Sequence, residues 1–170
     1  RPNSAAIFPA DITSTSQAKD LVKKFIDWAG GIDLLINNAS SFYPTPIGTI
    51  TEDHWNDLIG TNLKGPLFIT QAASEALKKA HGSVINLIDV HTRSPLKNHP
   101  AYSSAKAGLK MLTRSLAKDL APEIRVNGIS PGAIMWPEDG ISEEAKKSIL
   151  EQIPLNRTGS PQDIANCVLF

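Results

Sequence analysis

The sequence predicts an α/β fold, a doubly wound parallel sheet held between helices in a three-layer α/β/α arrangement. Strand-sized apolar runs alternate with amphipathic helical stretches along the chain. The strand centres, such as Leu34-Leu35-Ile36, are continuously apolar, as expected of parallel strands covered on both faces. Polar residues gather just after the strands, at Asp11, Asn37 with Asn38, Asp89, and the Pro131-Gly132 turn. Ligands of open α/β sheets bind beyond those carboxyl ends.

In chain order, Ala5 to Ala10 reads as a short buried strand ending at Asp11. Thr13, Ser14 and Thr15 then offer caps for a helix carrying Leu21, Val22, Phe25, Ile26 and Trp28, which Gly30 and Gly31 stop. Asp33 to Asn37 is the second strand, and the segment from Ser40 to Ile50, with two prolines and a glycine, is a loop. Glu52 to Leu58 and Asn62 to Ala80 read as helices, with Gly60 and Gly65 marking a bend or a close approach. Ser83 to Ile88 is the third strand, Ala101 to Leu120 a long helix, and Arg125 to Ile129 the fourth strand. Ser142 to Ile149 and Pro161 to Leu169 follow as helices, the latter with proline at a tolerated first-turn position. One domain is the expectation for a chain of 170 residues.

Lys plus Arg and Asp plus Glu are 17 each, without a long run of either sign. A phosphate-tracking nucleic-acid surface therefore has no electrostatic support. The apolar runs are strand-sized, so no membrane span is expected. The single cysteine, Cys167, cannot form an internal disulfide and reads as a buried, inert thiol, which fits a reducing cytoplasm. The start, Arg1-Pro2-Asn3-Ser4, has no signal-peptide pattern.

Tyr102 and Lys106 form an i, i+4 pair in the long helix after the third strand, so both rise from one face. An ammonium beside a phenol favours the phenolate, which would let Tyr102 exchange a proton near neutral pH. His91, Arg93 and His99 lie between Asp89 and Tyr102 and read as surface or supporting residues. No metal-ligand spacing is recognisable, so no metal is expected. Ser40 and Ser103 lack the Gly-x-Ser-x-Gly turn of a hydrolase nucleophile.

With Asn37-Asn38-Ala39, Tyr102-Ser103-Ser104-Ala105-Lys106 and Pro131-Gly132 in this order, the chain resembles the short-chain dehydrogenases/reductases, a family with a Rossmann-like dinucleotide-binding fold. The resemblance covers nearly the whole chain. It implies that Tyr102 is the acid/base, that Lys106 holds the nicotinamide ribose and lowers the tyrosine pKa, and that Asn62 orders a water in the proton relay. It further implies that Asn38, Ala39 and Ser40 line the cofactor, that Asp11 and Ile12 sit beside the adenine, and that Pro131 and Gly132 pass beneath the carboxamide. The cofactor would be NADPH, with NADH the alternative, and the assembly a homotetramer using the helices from Asn62 and Ala101. From the residues alone, Asn62 also reads as a helix cap.

Most members of that family carry serine where this chain has Asp89. A hydroxyl can donate to a carbonyl oxygen, whereas an ionised carboxylate only accepts and repels developing negative charge. Asp89 together with Asn38-Ala39-Ser40-Ser41-Phe42 resembles the pteridine reductases in particular. By that resemblance Phe42 stacks on the pterin, Ser40 contacts pterin or cofactor, and Asp89 pairs with the ring and helps Tyr102 supply protons. An aromatic plate with a carboxylate suits a flat ring bearing an amidine-like edge. Phe42 as a loop anchor and Asp89 as a loop cap are the plainer readings. Trp136 is read as closing one side of the pocket, or as a lid or subunit-contact residue. The alternative function is reduction of another carbonyl, or oxidation of an alcohol, such as a sugar, steroid or 3-oxoacyl substrate; a non-catalytic binding module is the third.

No glycine-rich strand-turn-helix precedes Asp11, and no strand follows the last helix. Residues 1–170 are therefore expected to be one incomplete dinucleotide-binding catalytic domain.

Overall fold

The computed structural model describes residues 4–136 and 140–170. Arg1 to Asn3, part of the start read for a targeting signal, lie outside the described residues.

Helix α1 spans Thr15–Ala29, and Ser14 caps it by accepting from the Gln17 amide. Gly30 ends it at φ +85°, where a side chain would be strained. Strand β1, Leu34–Asn37, leads through the proline-containing loop to α2, Glu52–Ile59. A π-helical turn at Gly60–Lys64 joins α2 to α3, Gly65–Ala80. Both glycines at this bend mark close approaches. A Cβ on Gly60 would lie 3.1 Å from the Thr13 methyl, and one on Gly65 would lie 3.1 Å from Ile12. Strand β2 is Ser83–Leu87, α4 is Pro100–Asp119 and β3 is Arg125–Ile129. Helices α5, Glu143–Glu151, and α6, Pro161–Leu169, complete the described chain.

The three strands run parallel in the order β1-β2-β3, with Asn37 beside Asn86 and Asn86 beside Gly128. Every residue of the central β2 is buried, including Ser83 and Asn86, as a strand covered on both faces requires. One face of the sheet packs Val84 and Val126 against α1 and α3 through Ala18, Val22, Ile69, Ala73 and Leu77, with Leu116 of α4 and its C-cap Leu120 alongside. On the opposite side, residues of α6 face Ile36 across a cleft. The layered, doubly wound parallel architecture expected from the sequence is therefore present.

Leu77 is fully buried in this core. Leu77→Ala is expected to cost about 2–5 kcal/mol, the usual range for lost transfer energy plus a residual cavity. Urea unfolding of the full-length protein checks it; a cost under about 1 kcal/mol would show that the site collapses around the smaller side chain.

Three expectations need correction. Ala5 to Ala10 is not a strand; it is irregular and largely exposed, because no neighbouring strand among the described residues pairs with its amides and carbonyls. Strand β1 is not covered on both faces: Leu34 and Ile36 are 39% and 42% exposed while Leu35 joins the core, since β1 is an edge strand whose second face meets the open cleft. Cys167 is exposed rather than buried.

Candidate active site

The site forms where the carboxyl ends of β1 and β2 meet the first turns of α4. Inside the sheet, Asn37 Nδ2 donates to Asn86 Oδ1 at 2.8 Å and, more weakly, to Thr70 Oγ1 at 3.4 Å. Asn86 Nδ2 in turn donates to Thr113 Oγ1 at 2.9 Å, and Thr113 donates to the Leu109 carbonyl at 2.7 Å. Side chains from β1, β2, α3 and α4 thus lock together, and a buried polar network satisfied in this way fixes relative position. The sequence signal for it was an asparagine inside an otherwise apolar strand, Val84-Ile85-Asn86-Leu87, which composition alone does not single out.

Asn62 is fully buried in the π-helical turn. Its Nδ2 donates to the Leu58 and Ser41 carbonyls, both at 2.9 Å, and its Oδ1 accepts from Ser40 Oγ at 2.6 Å. A π-turn interrupts the regular helix ladder, and Asn62 satisfies the carbonyl one turn back. It is not an N-cap; it clamps the Ser40-Ser41 loop onto the helix.

Tyr102 is 5% exposed, packed against Leu58 and Ala101, and its hydroxyl donates to Asp89 Oδ2 at 2.6 Å. Asp89 Oδ1 accepts from the His91 amide at 2.7 Å and also meets His91 Nδ1 at 2.7 Å. Lys106 is 4% exposed, donates to the Leu87 carbonyl at 2.9 Å, and lies 5.8 Å from the Tyr102 ring centroid. Burial pulls the Lys106 ammonium down to about 8, with Asp89 partly opposing. Burial, followed by the Asp89 carboxylate, pushes the Tyr102 hydroxyl well above the ordinary phenol range. The expected lowering of the Tyr102 pKa by Lys106 is thus corrected: desolvation and the carboxylate 2.6 Å away both push it up.

An open cleft of about 700 Å3 is lined by Ile36, Asn38, Ser40, Asp89, Tyr102, Lys106, Pro131 and Gly132, with Ile134 and Met135 and one side of α6. Its size falls within the range of small-molecule sites. Ala39 is exposed between two lining residues. Asp11 and Ile12 do not line this cleft. Asp11 Oδ1 accepts from the Thr13 amide and hydroxyl, both at 2.8 Å, and those bonds hold its carboxyl below the usual range.

Phe42 is 55% exposed at the site, edge-on to Tyr102 at 4.8 Å and stacked on His99 at 4.9 Å with 12° between the rings. His91 and His99, read as surface or supporting residues, both touch residues of the site. Trp136 does not close this cleft. It lines a separate one with Lys146, Leu150 and Asn156. Among the described residues no group of three or more His, Cys, Asp or Glu could hold a metal ion, and no helix is long and apolar enough to cross a membrane.

The parallel sheet, the buried Tyr102 and Lys106 and the cleft at the sheet's carboxyl edge lie where the resemblance to the short-chain dehydrogenases/reductases puts its site. Comparison with known proteins supports that resemblance. The family model described as enoyl-(acyl carrier protein) reductase matches residues 1–170. The 3-oxoacyl-[acyl-carrier-protein] reductase of Staphylococcus aureus strain Mu50 is 36% identical over 164 residues, covering 95% of this chain and 67% of that protein. The reductase of the same name from Thermotoga maritima is 33% identical over 172 residues, 99% of this chain and 70% of that protein. A crystal structure of a putative short-chain alcohol dehydrogenase from Sinorhizobium meliloti superposes with a TM-score of 0.91 at 30% identity, over 96% of this chain and 67% of that one. The chain belongs to the short-chain dehydrogenase/reductase family, and is an NAD(P)-dependent oxidoreductase by that membership. The names of these curated relatives match the carbonyl-reducing alternative rather than a pteridine reductase.

Proposed function

We propose that the site reduces a pteridine, using NADPH and a proton from Tyr102. The observation that carries this reading is the 2.6 Å hydrogen bond from Tyr102 to Asp89, which places a carboxylate where a carbonyl reducer needs a donor. Asp89 is only 18% exposed, and such a carboxylate recognises an N–H-rich ring edge far better than an oxyanion. Phe42, not itself among the cleft's lining residues, adds an aromatic ring edge-on to Tyr102 at 4.8 Å and more than half open.

The cleft fits a nicotinamide nucleotide. Its apolar wall of Ile36, Leu87 and Ile134 suits a flat ring, and no atom lies within 4 Å of where a Gly132 Cβ would sit, leaving the turn free for a close approach. When bound, the nucleotide supplies a hydride. This chain's own residues supply the rest. Lys106 and Asn38 would hold the nucleotide's ribose, with Ser40 lining the same cleft. Asn62 fixes the Ser40-Ser41 loop and so the cleft's rim. Tyr102 O–H breaks as its proton passes to the substrate atom beside the hydride acceptor, and the buried ammonium of Lys106 offsets the phenolate left behind.

A second reading, reduction of a 3-oxoacyl thioester, is favoured by the relatives' names. Asp89→Ser separates the two. Under the pteridine reading it removes a ring partner and lowers dihydrobiopterin kcat/KM by about 10- to 100-fold, following the 1–3 kcal/mol typical of an orphaned polar partner. Under the 3-oxoacyl reading it restores a donor and raises thioester reduction. Phe42→Ala is expected to weaken pterin binding while NADPH affinity changes little. Steady-state kinetics of the full-length protein on both substrates, with NADPH titration, decide it. A wild type that reduces thioesters but no pteridine, or an Asp89→Ser variant with undiminished pterin reduction, overturns the proposal.

A further inference from the structure

We propose that His91 is a positioning residue that holds Asp89 with one oxygen on Tyr102. This deepens the function proposed above and rests on its use of Asp89. The backbone at Asp89 is extended (φ −171°, ψ 146°) and Asp89 caps the short turn Val90–Thr92, so its side chain folds back over the turn it begins. Two donors of one residue then converge on Oδ1, the His91 amide and the His91 ring at Nδ1, both at 2.7 Å. An ionised carboxylate can only accept, so Nδ1 carries the proton in this contact. With Oδ1 held by both, Oδ2 is the oxygen left to meet Tyr102 at 2.6 Å.

A competing arrangement gives this grip its purpose. Lys106 is drawn electrostatically to Asp89 and sits one helical turn beyond Tyr102. Rotation of that carboxylate about its Cβ–Cγ bond would carry Oδ2 off the Tyr102 hydroxyl. The two His91 donors on Oδ1 oppose that rotation. The turn that carries it is itself braced. The Val90 amide donates to the Pro131 carbonyl at 3.2 Å, and Lys110 Nζ reaches Thr92 Oγ1 at 3.4 Å. His91 is 38% exposed at its side chain, so its ring is not needed to fill the core.

A double-mutant cycle tests the proposal, because a residue acting only through Asp89 has no effect once Asp89 is gone. His91→Phe keeps a ring but lacks the donor; His91→Asn keeps a donor near the Nδ1 position. In the full-length enzyme, with whichever substrate the wild type reduces, His91→Phe is expected to lower kcat about 10-fold with the KM for NADPH unchanged. His91→Asn is expected to retain kcat within about 2-fold. In an Asp89→Ser background, His91→Phe is expected to change kcat by less than about 2-fold. Equal losses in both backgrounds, no loss in the wild-type background, or an asparagine variant as impaired as the phenylalanine one would each overturn it. The substrate panel alone judges the pteridine reading, so the two can fail separately.

Discussion

Tyr102→Phe in the full-length protein is expected to lower turnover by at least about 100-fold while leaving folding and NADPH binding intact. The ring packs against Leu58 and Ala101, and phenylalanine preserves those contacts. What it removes is one hydroxyl, the donor 2.6 Å from Asp89. Positioned acid catalysis contributes about 100- to 10,000-fold, so its loss sets the expected floor. The raised pKa of this hydroxyl gives the pH dependence a direction: the donor form persists through neutral and moderately alkaline solution, so Tyr102 itself does not limit reduction there. Single-turnover kinetics with matched circular dichroism and NADPH titration make the comparison. A variant that keeps near-normal turnover removes Tyr102 as the proton donor.

The Tyr102, Lys106 and Asp89 cluster was legible because two of its members share one helix face and the third follows closely on a strand's carboxyl end, and both spacings are set by backbone geometry. The strands at Ser83 and Arg125 were legible from their short β-branched and apolar cores, Val84-Ile85 and Val126 with Ile129, between turn signals at Gly82 and Pro131-Gly132. Ala5 to Ala10 carries the same signal, yet a strand exists only where another strand accepts its hydrogen bonds, and no pattern within six residues contains that information. Leu34 and Ile36 failed similarly: the sequence states that they are apolar, while their exposure depends on what lies across the cleft. Trp136 was misplaced because a turn such as Pro131-Gly132 fixes where the chain leaves the sheet but not which way it goes next. His91 was passed over because histidines in loops are common, and its contact with Asp89 depends on the extended backbone that folds the carboxylate back. The direction of the Tyr102 shift was missed because pairing was weighed at the spacing of the helix, without the burial that raises the pKa or the loop carboxylate that approaches more closely.

Lys106→Met is expected to do two opposite things: lower turnover by at least about 100-fold, and stabilise the ligand-free protein at neutral pH. The first follows if the buried ammonium offsets charge that develops on Tyr102, since preorganised groups of this kind contribute about 100- to 1,000-fold. The second follows from its burial. Lys106 is 4% exposed, hydrogen-bonded only to the Leu87 carbonyl among the described residues, and pulled from 10.5 to about 8. Keeping that charge buried at pH 7 costs about 3 kcal/mol, at 1.36 kcal/mol per pH unit. Methionine fills similar space without charge and forfeits one hydrogen bond of about 1 kcal/mol, which leaves a gain of about 2 kcal/mol. Because the folded-state pKa lies below the unfolded one, the unfolded chain binds more protons between pH 8 and 10.5, and wild-type stability rises across that window. The advantage of the methionine variant is therefore full below pH 8 and gone above 10.5, where only its lost hydrogen bond of about 1 kcal/mol remains. Urea unfolding of both full-length proteins at pH 7 and again above pH 10.5 reads this directly. A methionine variant less stable than wild type at pH 7, or a gain that is the same at both pH values, would show that Lys106 is not held charged in a desolvated site, and a near-normal turnover would separate it from the chemistry of Tyr102 altogether.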